Sequence, residues 1–184
     1  MRRILLITGT PGVGKTTLAK KLLSRLRDAK LYDANSIAKK NSLYIGKDKF
    51  GSKIVNLDRL EAAVNRIASA HKSGTLIFEG HLLCDIKIKG AIAITLREHL
   101  GTLHKRLKAR GYPTEKIRDN LVSEAIDYCG FASQKNYDVS YELMGSSAIP
   151  KIVALAHGKK IRAPPISLLR ELVGIIKRNK ELAL

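Results

Sequence analysis

The chain has no tryptophan, three phenylalanines and six tyrosines in 184 residues, so aromatic side chains make up only 5% of it. That scarcity argues against a single-strand binder built on base-stacking platforms. Cysteine is almost as rare. Cys84 and Cys129 stand alone, without metal-ligand spacing, which excludes a disulfide scaffold and reads as a cytoplasmic, reducing setting. No apolar run approaches the length of a membrane span. The Arg2-Arg3 start is followed by only Ile4 to Ile7 before a glycine-rich stretch, too short for the apolar part of a secretory signal. Acidic residues are the other shortage: 16 Asp and Glu against 34 Lys and Arg, a formal charge of +18.

The surplus is uneven. Residues 1–53 carry 13 basic and 3 acidic groups, 54–150 carry 13 and 11, and 151–184 carry 8 and 2. A site for small phosphates needs a few local cations. A surplus of this size points to a polyanionic environment such as RNA, met through phosphate attraction.

What is present begins at residue 3. Arg3 to Thr8 is an apolar run suited to a buried parallel strand, and Lys15 to Leu23 is an amphipathic helix. Between them lies Gly9-Thr10-Pro11-Gly12-Val13-Gly14-Lys15-Thr16, with every fixed position of a phosphate-binding loop in its strand–loop–helix context. Gly9, Gly12 and Gly14 let the backbone curl around a β-phosphate, whose charge the helix N-terminus favours. Lys15 would reach the β- and γ-phosphates, and the Thr16 hydroxyl would meet Mg²⁺. The site is one for a nucleoside triphosphate with Mg²⁺. No Asn-Lys-x-Asp motif for reading guanine occurs in the chain.

Two further constellations carry chemistry. Glu79-Gly80-His81 closes the apolar run Thr75 to Phe78, where phosphate-loop proteins place a second magnesium-linked acid; His81 beside it would orient a water or sense the γ-phosphate. Arg106 and Arg110, four apart and so on one helix face, precede the turn Gly111-Tyr112-Pro113. Two guanidinium groups on a closing flap would neutralise charge on a transferring phosphoryl group, with Arg118 beyond the turn as a third.

Alternating strand and helix signals fill the rest. Strands are expected at 31–33, 75–79, 91–96 and 139–143, and helices at 57–71, 98–109, a long one at about 114–135, and 149–157. Ser36 to Gly51 is Lys-rich and weakly periodic, and reads as a mobile insertion. Pro164-Pro165 forbids helix before Ile166, after which Leu169, Leu172, Val173 and Ile176 form an apolar stripe. The whole is a three-layer α/β domain with a central parallel sheet.

The loop with Thr17, the Glu79-Gly80-His81 strand end and Arg106 to Asn120 together resemble the adenylate kinase 6 family, over roughly residues 3–157. These are small atypical adenylate kinases that also act as ATPases in small-ribosomal-subunit maturation, and Glu-Gly-His resembles the archaeal branch. The resemblance implies a P-loop nucleoside-monophosphate-kinase fold. In it residues 1–158 form the kinase domain, with a monophosphate-binding arm at about 32–55 and a short lid at about 109–119. Residues 159–184 form a basic helical extension. It implies that Gly12, Gly14, Lys15, Thr16, Thr17 and Arg110 bind ATP·Mg²⁺, that Asp33 and Lys39 contact a monophosphate such as AMP, and that His81 serves ATP hydrolysis. It also implies a partner, the eleventh small-subunit ribosomal protein, within the pre-ribosomal small subunit and its RNA. The chain departs from the family pattern at Lys39-Lys40, where an arginine is frequent, at Asn35-Ser36-Ile37, which lacks the usual acid, and in its basic rather than acidic C-terminal end.

Overall fold

A computed structural model of the chain describes residues 2–182. Five parallel strands form the sheet: β1 (Arg3–Thr8), β2 (Ala29–Asp33), β5 (Thr75–Glu79), β6 (Ala91–Arg97) and β7 (Val139–Met144), in the order β2-β5-β1-β6-β7. A separate antiparallel hairpin consists of β3 (Tyr44–Lys47) and β4 (Lys53–Val55).

Both faces of the sheet are covered, which is why its strands are apolar throughout rather than alternating. The pleat sends Leu5, Ile7, Ile77 and Ile94 to one face. There they meet α1 (Lys15–Leu23), α4 (Leu100–Ala109), α5 (Thr114–Ala125) and α7 (Ala148–Ala156). Ile4, Leu6, Leu76 and Phe78 point the other way, onto α2 (Ala34–Lys40) and α3 (Leu57–Ala70). The expected three-layer parallel α/β architecture is the one observed.

Three local expectations change. The stretch 36–51 is not a loose insertion. Asp33 caps α2 by accepting hydrogen bonds from Asn35 N (3.2 Å) and Ser36 N (2.9 Å), and the chain then forms the β3–β4 hairpin, whose turn is tied by Asp48 to Phe50 N and Ser52 N (both 2.8 Å). Short capping side chains organised a segment whose periodicity was too weak to read.

The long helix expected from 114 to 135 is two helices, α5 and α6 (Tyr128–Asn136). Between them Asp127 sits at φ 58°, a left-handed conformation that Asp tolerates, and caps α6 through Gly130 N. Its carboxylate is drawn inward by Arg97 Nη1 at 2.6 Å, and a buried guanidinium needs such partners.

The C-terminal segment shares the core. In α8 (Leu169–Arg178) Ile175 is buried, as are Leu168 before it and Leu182 after it, whereas Leu169 and Val173 are more than half exposed. The apolar stripe is thus rotated from the expected one. Glu171 explains the docking: its carboxylate accepts from Leu100 N (2.9 Å) at the start of α4 and pairs with His99 Nδ1 (2.8 Å). Among the described residues no helix is long and apolar enough to cross a membrane.

Candidate functional site

The C-terminal ends of the parallel strands carry the phosphate loop, between β1 and α1. A side chain on Gly9 would run into the Leu96 carbonyl, and Gly14, at φ 104°, turns the chain into α1. These two positions need glycine for close approach and for a left-handed turn. Lys15 folds back over the loop, donating to the carbonyls of Gly9 (2.7 Å) and Thr10 (3.0 Å). Burial lowers its pKa from 10.5 to about 8, against the pull of nearby acidic groups such as Glu79 and Glu124.

Thr16 and Glu79 meet as the motif anticipates. The Thr16 hydroxyl donates to Glu79 Oε1 at 2.8 Å, at the end of β5. Burial pushes the Glu79 carboxyl above its ordinary range, with the Thr16 bond opposing it. A hydroxyl beside a carboxylate is a hard-oxygen donor set that fits Mg²⁺. Among the described residues no cluster of three or more His, Cys, Asp or Glu could hold a metal by itself. A cation here would therefore be bound together with nucleotide phosphates, as Mg²⁺ generally is.

His81 lines the same cleft. Burial, then the nearby Lys15 charge, lowers its pKa to about 4, so its imidazole is neutral at pH 7 and fit to accept or relay a hydrogen bond. The cleft has a volume of about 950 Å³. Its floor is the loop with Lys15, Thr16 and Thr17, its far wall includes Asp33, Tyr44, Lys53 and Val55, and its roof includes Arg110, Tyr112 and Lys116.

The roof and the hairpin touch. Lys116 Nζ donates to Ser52 Oγ at 2.6 Å and lies 4.7 Å from the Tyr112 ring centroid; Lys49 of the hairpin pairs with Glu115. The start of α5 thus rests against the β3–β4 hairpin across the mouth of the cleft.

The arginines divide. Arg110 lines the cleft and an adjoining recess formed with Gly12, Gly14, Thr17, Gly145 and Ser146. Arg106 instead binds the loop itself: its Nη1 donates to the Gly12 carbonyl (3.2 Å) and pairs with Glu98 (2.9 Å). Arg118 lies on α5 and does not line the cleft. Lys39 is exposed in the last turn of α2 and does not line the cleft either; Lys53, resting 4.5 Å from the Tyr44 ring centroid, is the lysine on that wall. Asp33 does line it, but its carboxylate is occupied in capping α2.

One group of functional side chains escaped sequence reasoning. Arg97, wholly buried, donates from Nε to Glu124 Oε1 (3.0 Å) and from Nη1 to Glu142 (2.7 Å), besides meeting Asp127. Glu124 Oε2 accepts from the Thr10 hydroxyl at 2.5 Å, so α5 is fastened to the phosphate loop. The available signal was an arginine ending the apolar run 91–96, where an ordinary strand end would be solvated.

The family described as "AAA domain" matches residues 5–127. The "Putative adenylate kinase" of Methanocaldococcus jannaschii is 36% identical over 124 residues, 67% of each chain. The protein of the same name from Methanothermobacter thermautotrophicus is 38% identical over 125 residues, 67% of this chain and 68% of its own. Among solved structures, shikimate kinase from Bacteroides thetaiotaomicron has a TM-score of 0.58 at 16% identity, covering 84% of this chain and 98% of that one. The Deinococcus radiodurans tunicamycin resistance protein gives 0.55 at 18%, covering 90% and 100%. At such identities the solved structures speak for the fold alone, a P-loop kinase-like α/β sheet. The chain belongs to the AAA domain family of P-loop proteins, alongside the archaeal adenylate-kinase-like relatives that share two thirds of its length.

Proposed function

We propose that the protein is an ATP-dependent nucleoside monophosphate kinase, converting ATP and AMP to two ADP, with an accompanying ATPase activity. The observation that carries this reading is the junction of a Lys15 and Thr16–Glu79 phosphate floor with a second, walled compartment under a lid bearing Arg110. The names of the archaeal relatives support the acceptor class.

Phosphoryl transfer is mostly a positioning and charge problem. The glycine loop and Lys15 would hold the β- and γ-phosphates in line with an acceptor oxygen on the Lys53 side. That oxygen forms the new bond to the γ-phosphorus as the bond to the bridging oxygen breaks and its electrons leave with ADP. Mg²⁺ at Thr16 and Glu79 would supply charge neutralisation between the phosphates. Arg110, on the roof, would add positive charge as the transferred group loosens, and Arg106 holds the Gly12 carbonyl so that the loop keeps its shape.

A second reading has an observation of its own. The acceptor wall carries no arginine, and Lys39 lies outside it. A lysine makes no bidentate phosphate contact, so water oriented by neutral His81 or by Glu79 would compete as acceptor. In that reading the chain is an ATPase assembly factor in small-ribosomal-subunit maturation, cytoplasmic, acting through the eleventh small-subunit ribosomal protein and the surrounding RNA. Residues 1–158 are its catalytic unit and 159–184 its basic extension.

The test is nucleotide turnover with ADP and AMP followed separately, without AMP, with AMP, and with the ribosomal protein. Consumption of AMP with a sharp rise in turnover upholds the kinase. Indifference to AMP, with phosphate release changed by the ribosomal protein, transfers the function to the second reading. His81→Ala is expected to reduce hydrolysis more than AMP phosphorylation; equal losses would make His81 a structural residue.

A further inference from the structure

The cleft does not account for the charge of this chain. Its lining holds Lys15, Lys53, Arg110 and Lys116 against Asp33, Asp48 and Glu79, a nearly balanced set. The surplus must lie elsewhere, and the fold shows where part of it collects. All five strands of the sheet are parallel, so their N-terminal ends share one edge, opposite the phosphate loop.

At that edge the turns leading into β1, β2 and β5 enclose a recess of about 1170 Å³, open to solvent and completed by the end of α7. Arg3, Arg25, Arg27, Lys30 and Lys72 line it, with Asp28 as the single acid. The turn before β6 adds exposed Lys87 and Lys89 on the same edge of the sheet.

Helix C-termini also end here, and basic side chains often serve their free carbonyls. Two do so: Arg2 Nη2 donates to the Ala68 carbonyl (2.7 Å), and Lys72 Nζ reaches that of Ser69 (3.5 Å). Arg25, Arg27 and Lys30 are different. They are exposed, and among the described residues their side chains enter no hydrogen bond or ion pair. Three such cations within six residues repel one another, a cost with no compensating contact in the fold. The recess also contains His71, whose Nε2 is buried without a hydrogen-bond partner.

We infer that this recess is a docking surface for the phosphate backbone of a double-stranded nucleic acid. The chemistry of the lining selects that partner. Arg and Lys supply phosphate contacts, whereas the absence of any Phe, Tyr or Trp from the recess removes stacking platforms for unpaired bases. No exposed large hydrophobic residue lines it, so it lacks the apolar face with which a peripheral helix enters a bilayer. Binding is therefore sequence-tolerant and steeply salt-dependent. The surface lies across the sheet from the nucleotide cleft, so a bound duplex leaves the cleft open, and the inference does not depend on which acceptor the cleft uses.

The experiment measures binding of a fluorescently labelled RNA hairpin and of a DNA duplex of matching length, by anisotropy across a potassium chloride series. Three proteins are compared: the unaltered chain, a variant with Arg25→Glu, Arg27→Glu and Lys30→Glu, and a control with Arg170→Glu, Lys177→Glu and Arg178→Glu on α8. The first variant is expected to lose at least tenfold in affinity, and its log–log salt slope to fall by about 2 to 3, at roughly 0.9 per phosphate contact removed. The control, equal in charge change, should stay within about threefold, and nucleotide turnover should be the same in all three. Equal loss in both variants would show that diffuse charge, not the recess, does the binding. Absence of binding by the unaltered chain, or binding only to phosphatidylglycerol vesicles, would also overturn the inference. Should the triple variant unfold, Arg27→Gln and Lys30→Gln singly keep the test, each lowering the slope by about 1.

Discussion

Lys15 is the cation on which the proposed nucleotide site depends, and its environment would make nucleotide binding a proton-uptake reaction. In the free protein its pKa stands at about 8, lowered chiefly by burial. Beside the β- and γ-phosphates of ATP, the same ammonium would be driven back up toward its ordinary 10.5. At pH 9 the free protein thus lacks about 0.9 of this proton and the complex holds nearly all of it, so binding takes up close to one proton. The affinity consequence follows directly. Each pH unit above 8 weakens binding about tenfold, so between pH 7 and pH 10 ATP affinity falls on the order of a hundredfold, about 2.7 kcal/mol. Calorimetry of Mg·ATP binding in buffers of different ionisation enthalpy reads the proton directly at pH 9, where the nucleotide's own phosphates no longer titrate. Lys15→Arg supplies the control, because guanidinium stays charged and binding should lose its dependence over pH 8 to 10. Stability has the corresponding sign. The unfolded chain keeps the Lys15 proton up to 10.5 and the folded chain only up to about 8, so the unfolded state holds more protons in that window. This group therefore makes folding more favourable as pH rises from 8 to 10.5. A proton uptake near zero at pH 9, or a flat affinity from pH 8 to 10, refutes the placement of Lys15 in a dry, phosphate-facing position.

Thr10→Val leaves the buried Glu124 Oε2 without its donor and should cost about 1–3 kcal/mol in denaturant unfolding, with Thr10→Ser restoring most of it. Arg97→Met strands the buried Glu124 and the partly buried Asp127 and Glu142, and should destabilise by about 3–5 kcal/mol; a neutral result would mean these carboxylates are protonated in the fold. Lys116→Ala removes the hydrogen bond to Ser52 of the hairpin and the contact with the Tyr112 ring. It should raise KM for the acceptor while changing the melting temperature little, as half-exposed contacts of this kind contribute only about 0–1 kcal/mol. Removal of residues after Gly158 should lower the melting temperature strongly, since it strips buried Leu168, Ile175 and Leu182, at roughly 1.5–3 kcal/mol each, from the core beside Leu100 and Leu103. A truncated chain that melts normally would show that α8 merely rests on the domain.

Much of the fold was legible because its signals are local. Strand-length apolar runs bounded by glycine or polar turns placed β1, β5, β6 and β7, and the helical spacing from Leu57 placed α3 nearly to the residue. The phosphate loop was legible for the same reason: its function is written in consecutive residues. Failures occurred where tertiary partners decided the outcome. Nothing between Thr114 and Lys135 announces a break at Asp127, because the cause is Arg97, 30 positions earlier. Lys39 and Lys53 look equivalent in sequence, and only the hairpin geometry sends the second into the cleft. In α8 the amphipathic stripe was recognised, but which side of it faces inward was settled by Glu171 reaching the start of α4.

The anchoring of the loop also limits how the cleft can open. Arg106 on α4 holds the Gly12 carbonyl, and Glu124 near the end of α5 holds the Thr10 hydroxyl. Both helices beside the Gly111–Pro113 turn are therefore tied to the phosphate loop, α4 close to that turn and α5 at its far end, and α5 is tied through Arg97 to β6 and β7 as well. Rigid rotation of α5 would strip the buried Arg97–Glu124 contact, a loss of several kcal/mol, whereas the half-exposed Arg106 holds α4 more weakly. The segment free of such ties runs from Arg110 to Lys116, with Gly111 at φ 69° and a proline two residues on. Its contacts to the hairpin, through Lys116 to Ser52 and Glu115 to Lys49, are exposed or half-exposed and individually weak. Opening of the cleft would then fall to a hinge motion of this short turn and the first turn of α5 against the β3–β4 hairpin, with the phosphate loop keeping its shape throughout.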